Sequence, residues 1–287
     1  MTKRAGVIGH PLGHTKSPAI FEAAFQAAGI DATYEAWDTP ADVLAGRVEA
    51  LRGADFLGAN VTIPHKEAVA PLLDGTAGAA AKIGAVNTIV HEGGRLIGHN
   101  TDVAGFARAL REDAGFDARG RRTMVLGSGG AARAVALALV EAGASVIFVV
   151  GRHPKKLDAL VLSLKRLTST GTTITWAYWG DGSYLRSLRE AELLVNCTPV
   201  GTAGSEGAGQ SPVAAELIQP QTTVFDLVYN PAETPLLRDA RARGAQAVSG
   251  LGMLVYQAAE AFRLWTGRDA DTAAMRAAAE AALAAAG

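Results

Sequence analysis

Residues 121–143, RRTMVLGSGGAARAVALALVEAG, decide the fold class. An apolar run ends at Leu126, a glycine-rich turn follows, and helical periodicity then continues until Gly143 stops it. Gly127, Gly129 and Ala132 keep the G-x-G-x-x-G/A spacing in the setting it requires, after a strand and at the start of a helix. Gly127 permits the tight turn, and Gly129 lets backbone approach a pyrophosphate. Ala132 lets the helix lie close to the strand, while free N–H groups at the helix N-terminus face the anion. The turn from Gly127 through Ser128, Gly129 and Gly130 to Ala131 is therefore expected to hold a dinucleotide.

The next strand, SVIFVV (145–150), separates two cofactors. An NAD site would offer Asp or Glu at its end to bind the ribose 2′-hydroxyl. Here the chain has GRHPKK, from Gly151 through Arg152 and His153 to Lys155 and Lys156. Arg152 can grip a 2′-phosphate bidentately, with either lysine adding charge, so NADP is favoured over NAD. The plainer alternative is a helix start with solvated basic residues.

Outward from this unit, short apolar runs alternate with helical periodicity, which argues for α/β units around mostly parallel sheets. TITWAY (173–178), LLVNCT (193–198) and TTVFDLVY (222–229) read as further strands, and GTAGSEGAGQSP (201–212) as a mobile surface loop. Before it, AGVIG (5–9), ATYEAWD (32–38) and FLGANVTI (56–63) read as strands. A helix from Pro18 to about Ala28 stops at Gly29, and Thr39-Pro40 is expected to open another with proline at its first position. VNTIVHEGGRLIGHN (86–100) reads as a hairpin turning at Gly93-Gly94. Two final helices, 251–265 and 271–286, have no packing partner assigned by periodicity.

The totals agree with two α/β domains. The 287 residues suit two domains of about 100–150 each. Hydrophobic residues make up 49% and charged residues 19%, a globular balance, and a net charge of −1 excludes bulk attraction to nucleic acid or anionic lipid. One cysteine, Cys197, rules out an internal disulfide framework and fits a reducing compartment. Neither a leader-like apolar core nor an apolar segment of about 18 residues is visible, so a soluble cytoplasmic protein is expected. The sequons at Asn60 and Asn196 are then expected to stay unmodified.

Three places outside the glycine loop carry candidate chemistry. Thr15 and Ser17 stand where the first helix opens, two hydroxyls suited to a carboxylate at the positive end of a dipole. Taken alone, Ser17 reads first as an N-cap. Lys66 and Asp102 each follow a strand-like segment, and neighbouring strands would bring ammonium and carboxylate to one cleft. Carbonyl reduction needs a proton at the oxygen, which a lysine can supply and a nearby carboxylate can orient. Spacing alone favours an ordinary surface ion pair. His10 and His14 are separated by Pro11 and Gly13, which exclude helical metal spacing, and no metal site is expected.

Eight ordered motifs then align with one family. They are GHPLGHTKSP (9–18), GANVTIPHK (58–66), GAVNT (84–88), NTD (100–102), GSGGAARA (127–134), NCTPVG (196–201), DLVYNPAETPLL (226–237) and GLGMLVYQAAEAF (250–262). The chain resembles the NADP-dependent shikimate dehydrogenases over nearly its whole length. The resemblance implies a catalytic domain of residues 1–101, with 253–287 packing back on it, and a Rossmann-type NADP-binding domain of 102–252. Thr15 and Ser17 would hold the substrate carboxylate, and Lys66 would exchange the proton at the carbonyl oxygen. Thr62, Asn87, Asp102, Tyr229 and Gln257 would bind the ring hydroxyls. Residues 127–131 and 151–156, with Thr198, Leu227 and Gly250, would surround NADP.

The implied reaction is the reversible NADPH-dependent reduction of 3-dehydroshikimate to shikimate, on the route to chorismate and the aromatic amino acids. Two departures bear on it. Thr15 stands where the family usually has serine, so its methyl narrows the pocket and leaves quinate as an alternative to shikimate. GRH (151–153) replaces the usual Asn-Arg-Thr, keeping the arginine but losing two polar side chains beside the phosphate. Alternatives are a broader quinate/shikimate dehydrogenase that also uses NAD, and a non-catalytic NADP-binding sensor. The sensor would be expected to have lost Lys66 or Asp102. The expected partners are small molecules, with a monomer or homodimer as the assembly.

Overall fold

β1 (Lys3–Gly9) begins where exposed Lys3 and half-buried Arg4 give way to buried apolar residues. The computed structural model describes residues 2–13, 15–168 and 171–285, so His14 lies outside the described residues. Two compact units divide the chain: 1–105 with 254–287, and 106–253.

In the first unit, α1 (Ser17–Ala28) ends on Gly29, whose φ of 62° is the left-handed conformation glycine adopts without strain. β2 (Ala32–Asp38) returns beside β1 in parallel. The expected helix at Thr39-Pro40 starts later. Pro40 is extended (φ −56°, ψ 159°), a single 3-10 turn follows, and α2 spans Leu44–Ala50. Thr39 is held by its N–H, which donates to the Gly9 carbonyl, and by its hydroxyl, which donates to the Trp37 carbonyl.

β3 (Phe56–Val61) lies parallel to β1 on its other side. After β4 (Gly75–Thr76) and α3 (Gly78–Ile83), β5 (Thr88–Glu92) and β6 (Arg95–His99) form the hairpin around Gly93-Gly94. The sheet order is β2-β1-β3-β5-β6-β4, with β3–β5 and β5–β6 antiparallel and the other pairs parallel. α4 (Asp102–Glu112) leaves this sheet.

The second unit is a six-stranded parallel sheet. β7 (Arg122–Leu126), α5 (Gly130–Glu141), β8 (Val146–Gly151), α6 (Pro154–Leu167) and β9 (Thr173–Tyr178) form one half. α7 (Tyr184–Glu190), β10 (Leu193–Asn196), β11 (Thr223–Asp226), α8 (Pro235–Ala242) and β12 (Gln246–Ser249) form the other. The order β12-β11-β10-β7-β8-β9 reverses direction between β7 and β10, the crevice where such sheets bind ligands. β10 and β11 are buried at every residue, as helices on both faces of a parallel sheet require. Residues 201–212, read above as a mobile loop, close on themselves through Gly201 N–H to Gly207 O (3.0 Å) and are tied by Ala203 N–H to Asn230 O (2.9 Å).

α9 (Leu251–Thr266) and α10 (Thr272–Ala284) complete the first unit. Asp271 caps α10 by accepting from the N–H groups of Ala273 and Ala274, both at 3.0 Å. α10 packs on α1, and from α9 the rings of Phe262 and Trp265 lie tilted against Phe25 and Phe21. Trp265 Nε1 donates to the carbonyl of Ile89 at 2.9 Å, fastening residues 176 positions apart.

Candidate active site

The corner after β3 is pinned from three sides. Thr62 N–H still donates to Ile8 O (2.8 Å), the Ile63–Pro64 peptide is cis, and His65 N–H donates back to Thr62 O (2.9 Å). The His65 ring is 1% exposed and its Nε2 donates to the Thr39 carbonyl at 2.6 Å. That buried ring anchors the turn. Lys66 O then accepts from Val86 N–H (2.7 Å), fixing the lysine backbone against the segment that carries Asn87.

Lys66 Nζ lies 2.5 Å from Asp102 Oδ2, with the two side chains only 16% and 7% exposed. This is not a solvated surface pair. In so sheltered a place the interaction is stronger than between exposed charges, and each charge depends on its partner. Asp102 is the first residue of α4, where its charge faces the positive end of the helix. Its N–H donates to Asn100 Oδ1 (3.1 Å), and Asn100 Nδ2 donates to Ala85 O (2.9 Å). Asn87 Nδ2 donates to Asp102 Oδ1 at 2.8 Å, and Asn87 Oδ1 accepts the Thr101 N–H at 2.7 Å. Gln257 reaches the same place from α9, with its Oε1 3.4 Å from Asn87 Nδ2.

Thr15 and Ser17 meet at the start of α1. Ser17 is not the N-cap, however. It is the first helical residue, and Lys16 precedes it without a side-chain cap. Pro18 lacks an N–H to cap, and the Ser17 N–H is taken by Thr15 Oγ1 at 3.3 Å. The Ser17 hydroxyl is left to meet Thr15 Oγ1 at 3.2 Å and the Tyr34 hydroxyl. Tyr34 OH donates to Asn60 Oδ1 (2.7 Å), and Asn60 Nδ2 donates to Thr88 Oγ1 (3.1 Å), itself 3.0 Å from Asn87 Oδ1. Burial holds the Tyr34 phenol well above its ordinary pKa, so it stays a donor.

A chain of polar groups thus joins Thr15 and Ser17 to Asn87, Asp102 and Lys66. Sequence reasoning missed Tyr34, Asn60, Thr88 and Thr101. A signal for Tyr34 existed, since alternation along β2 turns it inward and a buried tyrosine needs a partner for its hydroxyl. Thr62 directly follows β3, its methyl so near Gly9 that a Cβ there would meet it at 2.4 Å.

In the second unit, the turn after β7 has the shape the spacing implied. Gly127 has φ 120°, and a Cβ on it would press on the Cys197 carbonyl at 3.1 Å. Around Gly129 a Cβ would meet nothing within 4 Å, so open space lies beside the backbone at the N-terminus of α5. Gly130 and Ala131 form the first turn of that helix. Ser128 is buried, with Oγ 3.1 Å from where a Gly151 Cβ would sit. Arg152, His153, Lys155 and Lys156 are all exposed at the end of β8 and the start of α6. Among the described residues Arg152 forms no ion pair, so its guanidinium is available to an incoming anion.

These features fit a dinucleotide with a 2′-phosphate: a glycine turn with open space beside it, a helix N-terminus, and an uncommitted arginine one strand away. Thr198 and Leu227 follow β10 and β11 at the same end of this sheet, and Tyr229 lies two residues further on. A Cβ on Gly250 would strike the Leu227 carbonyl at 2.3 Å, so only glycine lets these segments meet. Among the described residues, no group of three or more His, Cys, Asp or Glu could hold a metal, and no helix is long and apolar enough to cross a membrane.

Comparison with known proteins covers nearly the whole chain. Residues 7–89 match the shikimate dehydrogenase substrate binding domain, and residues 250–280 the shikimate 5'-dehydrogenase C-terminal domain. The chain is 44% identical over 275 residues to the shikimate dehydrogenase (NADP(+)) of Moorella thermoacetica, spanning 96% of this chain and 91% of that one. A crystal structure of shikimate 5-dehydrogenase from Thermus thermophilus, in complex with NADP(H) and shikimate, superposes with a TM-score of 0.86 at 42% identity, over 98% of this chain and all (100%) of the other. Quinate dehydrogenase from Corynebacterium glutamicum, in complex with NAD, has a TM-score of 0.87 at 32% identity, over 98% of this chain and 99% of that one. At such identity over nearly the full length of both chains, this chain belongs to the shikimate dehydrogenase family.

Proposed function

We propose that this chain is an oxidoreductase that reversibly reduces 3-dehydroshikimate to shikimate with NADPH, within chorismate and aromatic amino-acid biosynthesis. The observation that carries the reading is the sheltered contact of 2.5 Å between Lys66 and Asp102, inside a full-length match to NADP-dependent relatives. When bound, NADPH supplies the hydride. Lys66 delivers the proton to the substrate carbonyl oxygen and takes it back in reverse. Asp102 aims that ammonium, and with Asn87, Thr62 and Gln257 it engages ring hydroxyls. Tyr229 is assigned to the same ring hydroxyls by the family resemblance. The hydroxyls of Thr15 and Ser17 receive the substrate carboxylate.

The residues holding NADPH are those of the glycine turn from Gly127 to Ala131, with Thr198, Leu227 and Gly250. Arg152 takes the 2′-phosphate, assisted by Lys155 and Lys156, with Gly151 and His153 beside it. Residues 1–101 with 253–287 form the substrate domain, and 102–252 the cofactor domain. The retained Lys66 and Asp102 speak against a non-catalytic sensor.

A specific observation favours a second reading of the substrate. Thr15 carries a methyl in the carboxylate pocket, and a quinate dehydrogenase is among the structural neighbours. Steady-state rates with shikimate and quinate, each with NADP and NAD, decide between them. The proposal expects the highest kcat/KM with shikimate and NADP. A preference for quinate with NAD would overturn both the substrate and the cofactor assignment.

A further inference from the structure

The second unit contains a buried carboxylate to which the reaction assigns no part. Asp226 ends β11 and is 0% exposed, as are Asn196 at the end of β10 and Thr234 at the start of α8. One Asp226 oxygen accepts from Asn196 Nδ2 (2.8 Å) and from the N–H of Val228 (3.1 Å). The other accepts from Thr234 Oγ1 at 2.6 Å. Among the described residues it forms no ion pair.

Its neighbours carry these contacts outward. Asn196 Oδ1 accepts from the Thr198 hydroxyl (2.6 Å) and the Thr198 N–H (3.0 Å), while Asn196 O accepts from Leu227 N–H (3.0 Å). Thr234 Oγ1 accepts from Leu237 N–H (3.2 Å) and so caps α8. Two strand-end loops and one helix start therefore converge on a single side chain.

We propose that Asp226 is a positioning residue for the cofactor site of the second unit, fixing from beneath the two loops that carry Thr198 and Leu227. The role rests on the NADP reading above. Every neighbour of this side chain donates, and only a carboxylate accepts on both oxygens. An asparagine would turn its N–H₂ towards Asn196 and Val228, where one loop would have to yield, or towards Thr234, whose hydroxyl would have to give up its donation and accept instead. Burying a charge without a cation is costly, and burial does raise the Asp226 pKa. A fold selected for stability alone has no need of it. A site that must hold two loops in register does, which is the familiar exchange of stability for function.

The test titrates NADPH into the full chain by fluorescence, alongside kcat and both KM values. Asp226→Asn, Thr234→Val and Thr234→Ser are compared with the unaltered protein. Asp226→Asn and Thr234→Val are expected to weaken NADPH binding about tenfold or more, the range for a lost hydrogen bond to a charged group. Thr234→Ser, which keeps the hydroxyl, is expected to bind within about twofold of the unaltered chain. A merely structural role would lower the unfolding temperature yet leave the affinity of the folded fraction untouched.

Folded variants that bind NADPH like the unaltered chain would overturn the role. Should Asp226→Asn fail to fold, the contrast between valine and serine at position 234 decides alone. Absence of NADPH binding by the unaltered chain would instead overturn the cofactor reading. Equal binding by all chains would overturn only the role of Asp226.

Discussion

The side-chain amide of Asn87 donates to one oxygen of Asp102 at 2.8 Å, while Lys66 holds the other at 2.5 Å. Asp102 cannot swing towards the lysine without breaking the amide contact, so its orientation is set before substrate arrives. Asn87→Ala is expected to lower kcat/KM for dehydroshikimate by about tenfold or more, the effect of removing a hydrogen bond to a charged group. Steady-state kinetics check it. An unchanged kcat/KM would show that Lys66 alone orients the carboxylate.

Arg152 stands exposed at the end of β8, without an ion-pair partner among the described residues. Arg152→Ala is expected to reduce the preference for NADPH over NADH about tenfold or more, because a bidentate charged contact is lost only with the phosphorylated cofactor. The ratio of kcat/KM for the two cofactors is the readout. If that ratio holds, the phosphate is read by the lysines.

Gly58 lies in β3 where a Cβ would meet the Ile89 carbonyl at 2.1 Å and Trp265 Nε1 at 2.6 Å. The hydrogen bond from Trp265 to Ile89 passes over that bare backbone. Gly58→Ala is expected to destabilise the first unit by about 3 kcal/mol, at the upper end of overpacking costs. Denaturant unfolding measures it, and a loss below about 1 kcal/mol would mean that the returning helix is free to shift.

Acid stability should involve Asp74. Its carboxylate accepts from the Arg52 guanidinium at 2.7 and 3.2 Å and from Leu96 N–H at 2.7 Å, and these contacts, the arginine first, lower its pKa to about 2. A pKa lower in the folded than in the unfolded chain adds stability above the unfolded value, about 3.9. That stability is lost as pH falls through the folded value. Between about pH 4 and 2 the unaltered chain should therefore lose more unfolding temperature than Asp74→Asn. Parallel curves over that interval would remove Asp74 from the acid response.

What could be read beforehand was local. The glycine turn joins strand, turn and helix within one short stretch, and each part supports the others. Gly29 and Gly143 marked helix ends for the same reason. The pairing of Lys66 with Asp102 spans 36 residues and was left open by spacing, because no local pattern records which strands become neighbours. The family resemblance supplied that link. β4 and β12, with two and four residues, were too short to show a period. Ser17 was misplaced as a cap because its hydroxyl is engaged by Tyr34, a partner 17 positions away that a scan of local motifs does not reach.

The central claim is that Lys66 moves the proton in carbonyl reduction. Its most direct test is the single-turnover rate of NADPH oxidation by dehydroshikimate, measured for the unaltered chain and for Lys66→Ala with both ligands saturating. The account requires a fall of about 100-fold or more, the usual share of a general acid–base group, with substrate affinity little changed. A Lys66→Ala chain that turns over at nearly the original rate would contradict it.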